Sequence, residues 1–581
     1  MSKYVLGISC YFHDSSVALV KDGVLISAVQ EERFTGIKGD PSFPSRSIEW
    51  SLSANNISIK DIDYIIFYEK PLKKFLRILN SSIEHFPKSR QFFISQMKRW
   101  LSEKIWTKTN ISKKLKFNNK NILFCQHHLS HASSIYYPSN LDHSCIVVND
   151  GIGEDQSFSI WSAEDNKINL KYEIIFPKSL GLFYSTMTSF LGHAVNEGEN
   201  KVMSMSTYGN DTLKDKMNKV IYLDDKEIFN QNMEYFEYHF SLYNNFSKKL
   251  KNLFGDPRMP NSPFLNQDLK IDNSKAQHYA NIAQATQNIT EAVIKQQVEF
   301  AYDLFPSKNV CLSGGVHLNC KANHESLKNS QFQNVHINYC PSDAGGSIGA
   351  SLWAWNNVVE EDRNKFKQDV YLGPGFDDEF IENTLKNLKI DYSKYHNNTD
   401  LLIDVSKDLQ DDKIICWFQG KLEFGKRALG NRSILARPDK KEISMKINEF
   451  IKNRESFQPF ASSIMEDKVN EYFKLNEKFK NSYKFMSVIA YDNKKHSNDL
   501  SGVLHEDQSC RIQIVSEHDN KLFYTLLKTF YDLTKIPLLL NTSFNLRGEP
   551  IVDNPIKAIS TFLRSKCNVM YIGKFKIVNN V

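Results

Sequence analysis

The chain has 581 residues, 41% hydrophobic and 24% charged, with a formal net charge of +6 and a sequence pI near 8.5. This is too long for one hydrophobic core and predicts about two to four domains, while its mild basicity requires no nucleic-acid partner. Nine scattered cysteines without a C-x-x-C pair exclude a disulfide framework, and no apolar run has the length of a signal peptide's core or a membrane span, so a cytoplasmic enzyme is expected.

Residues 4–30 predict an opening β-hairpin. Strands run over Tyr4–Cys10, Ser16–Lys21 and Val24–Val29, with a polar loop at 11–15 and a turn at Asp22-Gly23. Residues 70–120 are helix-like and rich in Lys and Arg, either as a solvated face or as a surface for something anionic. His127 and His131 follow, four apart, and the strand-like run 144–149 ends in Asp150. If residues 127–135 are helical, both imidazoles share one face and could reach one ion, with a carboxylate as further ligand. Imidazole plus carboxylate suits iron or zinc, and a metal with open positions can hold phosphate or polarise a carbonyl. Otherwise His127, His128 and His131 are ordinary polar residues of a helix start.

Residues 211–265 look like an inserted helical segment, and a long amphipathic helix follows from about Ala276 to Leu304. A buried strand then breaks at Gly314-Gly315. Another, Val335–Cys340, leads to Asp343, Gly345-Gly346 and a helix over Ser347–Trp355. Three loops (12–16, 312–316, 342–347) thus place small residues where a strand ends, which favours close backbone approach to an anion. They point to the actin-like fold of two α/β lobes around a nucleotide. Gly314, Gly315, Asn319, Gly345 and Gly346 are candidate nucleotide-binding positions. Asp343 is either a helix cap, worth about 1 kcal/mol, or a metal ligand, and local sequence favours the cap. A boundary is expected near 358–370, separating domains 1–360 and 366–581. No repeat at a fixed period is visible.

In the second part, Lys421, Lys426, Arg427 and Arg432 are threaded among Gly420, Gly425 and Gly430. Lys452, Arg454, Arg511, Asn541 and Ser543 follow on later segments. Arg forks suit planar oxyanions and Lys supplies a point charge, so a phosphate-binding loop explains this pattern better than surface ion pairs. His13 is the best candidate to contact an acceptor or act as base, since a neutral imidazole suits that task near pH 7. Its alternative is a loop histidine bonded to a backbone carbonyl. Glu197, Glu199 and Lys201 either line an acceptor site or pair with one another.

The chain resembles, nearly end to end, the O-carbamoyltransferase family of nodulation-factor and antibiotic-tailoring enzymes. The resemblance is carried by residues 7–16, Gln30-Glu-Glu-Arg-Phe34, 127–132, 181–185, 196–203, 314–319, 423–433, 541–545 and Gly548-Glu-Pro550. It implies an α/β architecture: an actin-like N-terminal domain followed by a YrdC-like domain that makes carbamoyl adenylates. The implied reaction joins carbamoyl phosphate and ATP, with Mg2+, into carbamoyl-AMP. The carbamoyl group then passes to a hydroxyl of a small-molecule acceptor. The resemblance also implies a divalent metal, Fe(II), on His127, His131, Asp150 and Asp343, which displaces the cap reading of Asp343. Lys426 and Arg427 would be catalytic, and Lys421, Arg432, Lys452, Arg454, Arg511, Asn541 and Ser543 would bind carbamoyl phosphate and ATP. Lys426 stands where the family has proline, and Gln508-Ser-Cys510 where it tends to Gly-Thr-Ala. A homodimer fits this reading; membrane and nucleic-acid partners do not. Two other readings stand beside it: a threonylcarbamoyl-type RNA-modifying enzyme using the basic 70–120 segment, and a non-catalytic nucleotide-binding scaffold.

Overall fold

The computed structural model describes residues 2–266, 268–359, 363–366 and 368–579. Residues 360–362 and 367, within the expected boundary, lie outside the described residues. The chain forms two compact units, one of Met1–Ala28 with Pro41–Gln368, the other of Val29–Asp40 with Asp369–Val581.

The first unit holds two five-stranded sheets. One has the order β3-β2-β1-β4-β5, formed by β1 (Tyr4–Ser9), β2 (Ser16–Lys21), β3 (Val24–Gln30), β4 (Tyr64–Phe67) and β5 (Ile122–Phe124). β2 is antiparallel to β1, β4 is parallel to β1, and β5 is parallel to β4. The second sheet uses β6 (His143–Asn149), β7 (Gln156–Glu164), β8 (Lys167–Ile175), β11 (Asn309–Ser313) and β12 (Asn334–Ile337), in the order β12-β11-β6-β7-β8. β6, β7 and β8 are antiparallel in turn, while β11 is parallel to β6 and β12 to β11. The same scheme therefore occurs twice, as in a two-lobed actin-like domain. Period searching misses it because β3 leads to β4 within 34 positions, whereas the return from β8 to β11 takes in a 31-residue helix.

Two helices at the heart of this unit are buried nearly all round, which fits their small and serine-rich composition. They are α1 (His127–Tyr136) and α3 (Gly345–Ala354), while α2 is the long helix Ser274–Leu304. α1 and α3 cross at Gly349, where a Cβ would come within 1.7 Å of the Ser130 carbonyl oxygen. The α1 hydroxyls are satisfied locally, Ser130 donating to the His127 carbonyl (2.7 Å) and Ser134 to that of His131 (2.8 Å).

The 211–265 segment departs from expectation. Its helices are short, and it carries an antiparallel hairpin of β9 (Ile221–Asp224) and β10 (Ile228–Gln231). The Asp224 carboxylate accepts from the backbone N–H groups of Lys226 and Glu227 and so closes the turn, a local bond that competes with helix. The opening hairpin, the basic helices of 71–115 and the long helix are as expected, the last begun by an Asn273 cap on the Ala276 N–H.

The second unit is built on one mixed ten-stranded sheet of order β13-β22-β21-β14-β15-β20-β16-β19-β18-β17. In chain order its strands are β13 (Ser393–Lys394), β14 (Ile415–Phe418), β15 (Arg432–Ala436), β16 (Ala461–Met465), β17 (Phe473–Lys474), β18 (Ile489–Asp492), β19 (Ser509–Val515), β20 (Leu538–Ser543), β21 (Val569–Ile572) and β22 (Phe575–Val578). The central strands β14 and β21 are buried throughout, as their unbroken apolar runs demand. All nine cysteines are buried free thiols, and no helix among the described residues is long and apolar enough to cross a membrane.

Candidate active site

In the first unit, the structure brings His127, His131, Asp150 and Asp343 together, with one ligand atom of each within 4.8 Å of the others. The two histidines stack one turn apart on α1. Asp150 follows the end of β6, and Asp343 lies in the turn before α3. His127 Nε2 is 3.1 Å from His131 Nε2 and 3.3 Å from Asp150 Oδ2. Asp343 Oδ1 is 3.7 Å from His127 Nε2 and 3.8 Å from His131 Nε2. All four side chains are buried. Asp343 does not cap α3, whose N-terminus has no side-chain cap.

The donor set fits a divalent cation. Two carboxylates carry two charges into a buried place, and Asp343 Oδ2 has no hydrogen-bond partner among the described residues. In the protein alone a proton plays the cation's part. Burial opposes charge on His127, but Asp343 and Asp150 outweigh it and hold its pKa at about 9. Burial likewise works against the Asp150 and Asp343 carboxylates, yet the histidines hold both below the usual carboxylate range. His128, buried behind His127, is pushed well down and stays neutral, its Nδ1 2.7 Å from Ser159 Oγ.

Neighbours fix the cluster's geometry. The Gly315 N–H donates to Asp150 Oδ1 (2.9 Å). Gly314 has φ 95°, and a Cβ there would fall 2.2 Å from the Asn149 carbonyl oxygen, so only glycine permits this approach. Glu154 accepts from the His127 N–H (2.9 Å) and the Lys70 N–H (2.7 Å), tying two helix starts with one buried carboxylate. Glu69 Oε2 lies 4.0 Å from His127 Nδ1 and 2.6 Å from Lys74 Nζ. Sequence reading missed both acids. Their signal was position: Glu69 follows the end of β4 by two residues, and Glu154 lies in the β6–β7 loop that Asp150 begins.

His13 lies beside the cluster, Nε2 3.9 Å from Asp343 Oδ2, on a loop where Tyr11 and Asp14 have positive φ (74° and 53°). Gly345 and Gly346 begin α3, packed on the Cys340 carbonyl and the Tyr68 ring. The Asn319 side chain caps a following helix through the Ala322 N–H (3.0 Å) and donates to Gln287 Oε1 (2.9 Å). Glu199 Oε1 accepts from Ser185 Oγ (3.0 Å) and the Asn196 N–H (2.8 Å). Lys201 is half-buried and Glu197 exposed on the same stretch.

In the second unit the expected cations divide. Arg432 is fully buried with its guanidinium 3.6 Å from the Phe418 ring centroid. Its two terminal nitrogens donate to the carbonyls of Gln419, Asn431, Pro374 and Gly420. Arg432 thus anchors the glycine-rich loop through both terminal nitrogens, while its buried Nε has no hydrogen-bond partner among the described residues. Asn541 is similarly engaged, its Nδ2 donating to Ser463 Oγ (2.9 Å) and the Ala428 carbonyl (3.2 Å). Lys452 Nζ donates to Asn545 Oδ1 (2.8 Å) and to the Ser543 carbonyl, and burial together with Arg454 pushes its pKa down to about 7. Arg454 donates to Asn448 Oδ1 (2.6 Å), and burial and the nearby Arg511 lower its pKa to about 10. The Arg511 side chain has no hydrogen-bond or ion-pair partner among the described residues, and its Nε is buried. Two adjacent arginines, one without an acid, form an anion-seeking arrangement. Lys421 is exposed, and Lys426 and Arg427 are half-buried in the loop. Ser543 Oγ donates to Asn545 Oδ1 (2.7 Å).

The loop has two organisers that sequence reading did not assign. Glu423 Oε1 accepts from the N–H groups of Leu429 (2.8 Å), Asn431 (2.8 Å) and Arg432 (3.2 Å). Arg33, within the Gln30–Phe34 motif, donates to the Gly425 carbonyl (2.7 Å), so that motif serves the second unit.

Comparison with known proteins agrees with this layout. The family described as Carbamoyltransferase N-terminus matches residues 4–352, and Carbamoyltransferase C-terminus matches residues 406–579. An uncharacterized protein of Synechocystis is 38% identical over 98% of this chain and 96% of its own length. Nodulation protein NolNO of Sinorhizobium fredii is 30% identical over 98% of this chain and 79% of its own. A 3'-hydroxymethylcephem-O-carbamoyltransferase of Amycolatopsis lactamdurans is 28% identical over 46% of this chain and 48% of its own.

Proposed function

This chain belongs to the carbamoyltransferase family, and on that premise we propose that it is an ATP-dependent O-carbamoyltransferase acting on a hydroxyl of a small molecule. It is an enzyme that transfers carbamoyl groups. The finer reading, of an adenylate intermediate and a metal-assisted transfer, is supported above all by the convergence of His127, His131, Asp150 and Asp343.

In the second unit, carbamoyl phosphate, ATP and one water would give carbamoyl-AMP, phosphate and pyrophosphate. Arg511 and Arg454 would hold phosphoryl or carbamoyl oxygens by charge-assisted hydrogen bonds, with Lys421, Lys426 and Arg427 adding charge from the loop. Arg432, Glu423 and Arg33 would keep that loop in place. In the first unit, His127, His131, Asp150 and Asp343 would hold a divalent metal, Fe(II) in this reading, whose chemistry is to polarise the carbamoyl carbonyl as a Lewis acid. His13, next to Asp343, would accept the proton of the acceptor hydroxyl as its oxygen attacks the carbamoyl carbon. The new C–O bond forms, the bond to AMP breaks, and AMP leaves with the electron pair. Gly314 and Gly315 would present backbone N–H groups toward the nucleotide.

The test uses the full chain with labelled carbamoyl phosphate and ATP. AMP and pyrophosphate should appear in equal amounts, and label should pass to a hydroxylated acceptor. Release of ADP in place of AMP would refute the adenylate route. Metal analysis of the purified protein should find about one divalent ion per chain, lost on mutation of the cluster.

A further inference from the structure

The exposed large apolar side chains are not spread evenly. Among the described residues, eight of 27 lie between positions 72 and 106, each between 37% and 71% exposed. They belong to two helices packed on each other, Pro71–Glu84 and Arg90–Ser102, and to the segments that follow them. On the first helix Leu72, Leu76, Leu79 and Ile83 recur at i, i+4, i+7 and i+11, which is one face. Leu79 is half-buried and the other three are exposed. The inward face carries Lys74, Ser81 and Ser82 beside Ile78. Polar bonds hold it there: Lys74 Nζ donates to Glu69 Oε2 (2.6 Å), and Ser81 Oγ donates to the His239 carbonyl (2.6 Å). The helix thus turns its more apolar side to water, the reverse of an ordinary surface helix. On the second helix Phe93, Met97 and Leu101 follow at i, i+4 and i+8 with Ile94 beside them, all exposed but the half-buried Met97. Phe86 and Trp106 are exposed in the segments beyond the two helix ends.

The same stretch is strongly basic. Residues 70–120 hold 14 Lys and Arg against two Glu, a net charge of +12, whereas the whole chain carries +6, so the remainder is net −6. Arg90 stands one turn before Phe93 and Ile94, and Lys98 one turn after Ile94, both exposed. Long cationic side chains can lay their stems along apolar surface while their heads reach anions.

Charge decides what covers this patch. A second copy meeting it face to face would set +12 against +12, which like-charge repulsion opposes. A nucleic acid supplies anions but is bound through cations and aromatic stacking, which leaves a stripe of leucines and isoleucines in water. An anionic bilayer supplies both, acyl chains bordered by negative headgroups, and lying on it needs no membrane-spanning helix.

We propose that helices Pro71–Glu84 and Arg90–Ser102 form a docking surface for an anionic lipid bilayer. Leu72, Leu76, Ile83, Ile94 and Leu101 enter the boundary between headgroups and acyl chains, and Arg90 and Lys98 engage headgroup phosphates. The proposal does not depend on the carbamoyl-transfer reading.

The full chain is floated with vesicles of phosphatidylcholine alone and of phosphatidylcholine with phosphatidylglycerol at about two to one. Binding to the anionic vesicles should be about tenfold or more tighter and should weaken as salt is raised. Leu76→Ser with Ile94→Ser should lower that affinity about tenfold or more, and so should Arg90→Glu with Lys98→Glu. These four side chains are exposed, so the fold does not rest on them. Failure of the wild-type chain to float with anionic vesicles, or equal affinity for both kinds, overturns the proposal without any variant. So does anionic-vesicle binding that the serine pair leaves intact, which would make the contact one of charge alone. An oligomer that the serine pair converts to monomer, without vesicle binding, would give the patch to a second copy. Single-stranded RNA that displaces the vesicles and binds the serine pair as well as the wild type would give it to a nucleic acid. Either result overturns the proposal.

Discussion

The histidine–aspartate cluster of the first unit and the cation-rich loop of the second treat their polar atoms differently. In the cluster, carboxylate and imidazole atoms face one another at 3.1 to 3.8 Å, and Asp343 Oδ2 has no hydrogen-bond partner among the described residues. In the loop, the most deeply buried cation, Arg432, gives both terminal nitrogens to backbone carbonyls, while the Arg511 side chain has no hydrogen-bond partner among the described residues. Buried polar groups that the fold satisfies hold the fold, and those it leaves open mark where a ligand is expected. Two arginines from one sequence pattern therefore belong to different categories of residue.

The largest expected effect breaks the cluster. His131→Ala should remove the bound metal and lower carbamoyl transfer by more than about 100-fold, since even residues behind metal ligands cost 10–100-fold. AMP formation in the second unit should persist. Metal analysis with separate assays of the two steps checks this, and retention of both metal and transfer would sink the assignment.

The contrast between the arginines sharpens next. Arg511→Ala should leave the unfolding midpoint nearly unchanged and cut AMP formation by roughly 10–100-fold, the worth of a charge-assisted hydrogen bond. Arg432→Ala should cost about 3 kcal/mol of stability, because it strips partners from several buried carbonyls. Denaturant titration beside the AMP assay separates the two. If R432A were stable and R511A unfolded, the division drawn here would be reversed.

A smaller effect is in the pH dependence of the metal-free protein. The folded His127 pKa of about 9 exceeds the unfolded value of about 6.5. Its stabilising charge is thus fully present below pH 6.5 and lost as pH rises through 9. Chelator-treated protein should therefore melt at lower temperature at pH 9.5 than at pH 6.5. Bound metal displaces this proton, so the loaded protein should show a weaker decline. Equal slopes with and without metal would show that His127 does not exchange a proton for the ion.

The smallest effect concerns Glu154. Glu154→Gln keeps an acceptor for the His127 and Lys70 N–H groups but removes the charge at two helix starts. The expected loss is up to about 1 kcal/mol per helix end. A larger loss, read by denaturant titration, would mean that Glu154 also shapes the metal ligands.

Much of this was legible from the chain alone. The opening hairpin followed from alternation and the Asp22-Gly23 turn, the histidine pair from a four-residue spacing on a helix, and Asp150 from a carboxylate just past a strand. Asp343 was not legible locally, where its place before a glycine-rich helix reads as a cap. Only the packing of α3 against α1 turns it toward the histidines. The carbonyl partners of Arg432 were not legible either, one of them lying 58 positions away at Pro374. The hairpin within 211–265 was misread because a single Asp224 side chain, and no apolar period, decides it.

By itself, then, the sequence determined what backbone geometry dictates within one element: which residues share a helix face, which end a strand, which turn needs glycine. The tertiary structure decided which charged groups are neutralised by the protein and which are not. Arg33 meets Gly425 across 392 positions, and Asp343 meets the histidines across more than two hundred. Such meetings depend on which strands pair and which helices cross, and no local spacing encodes them.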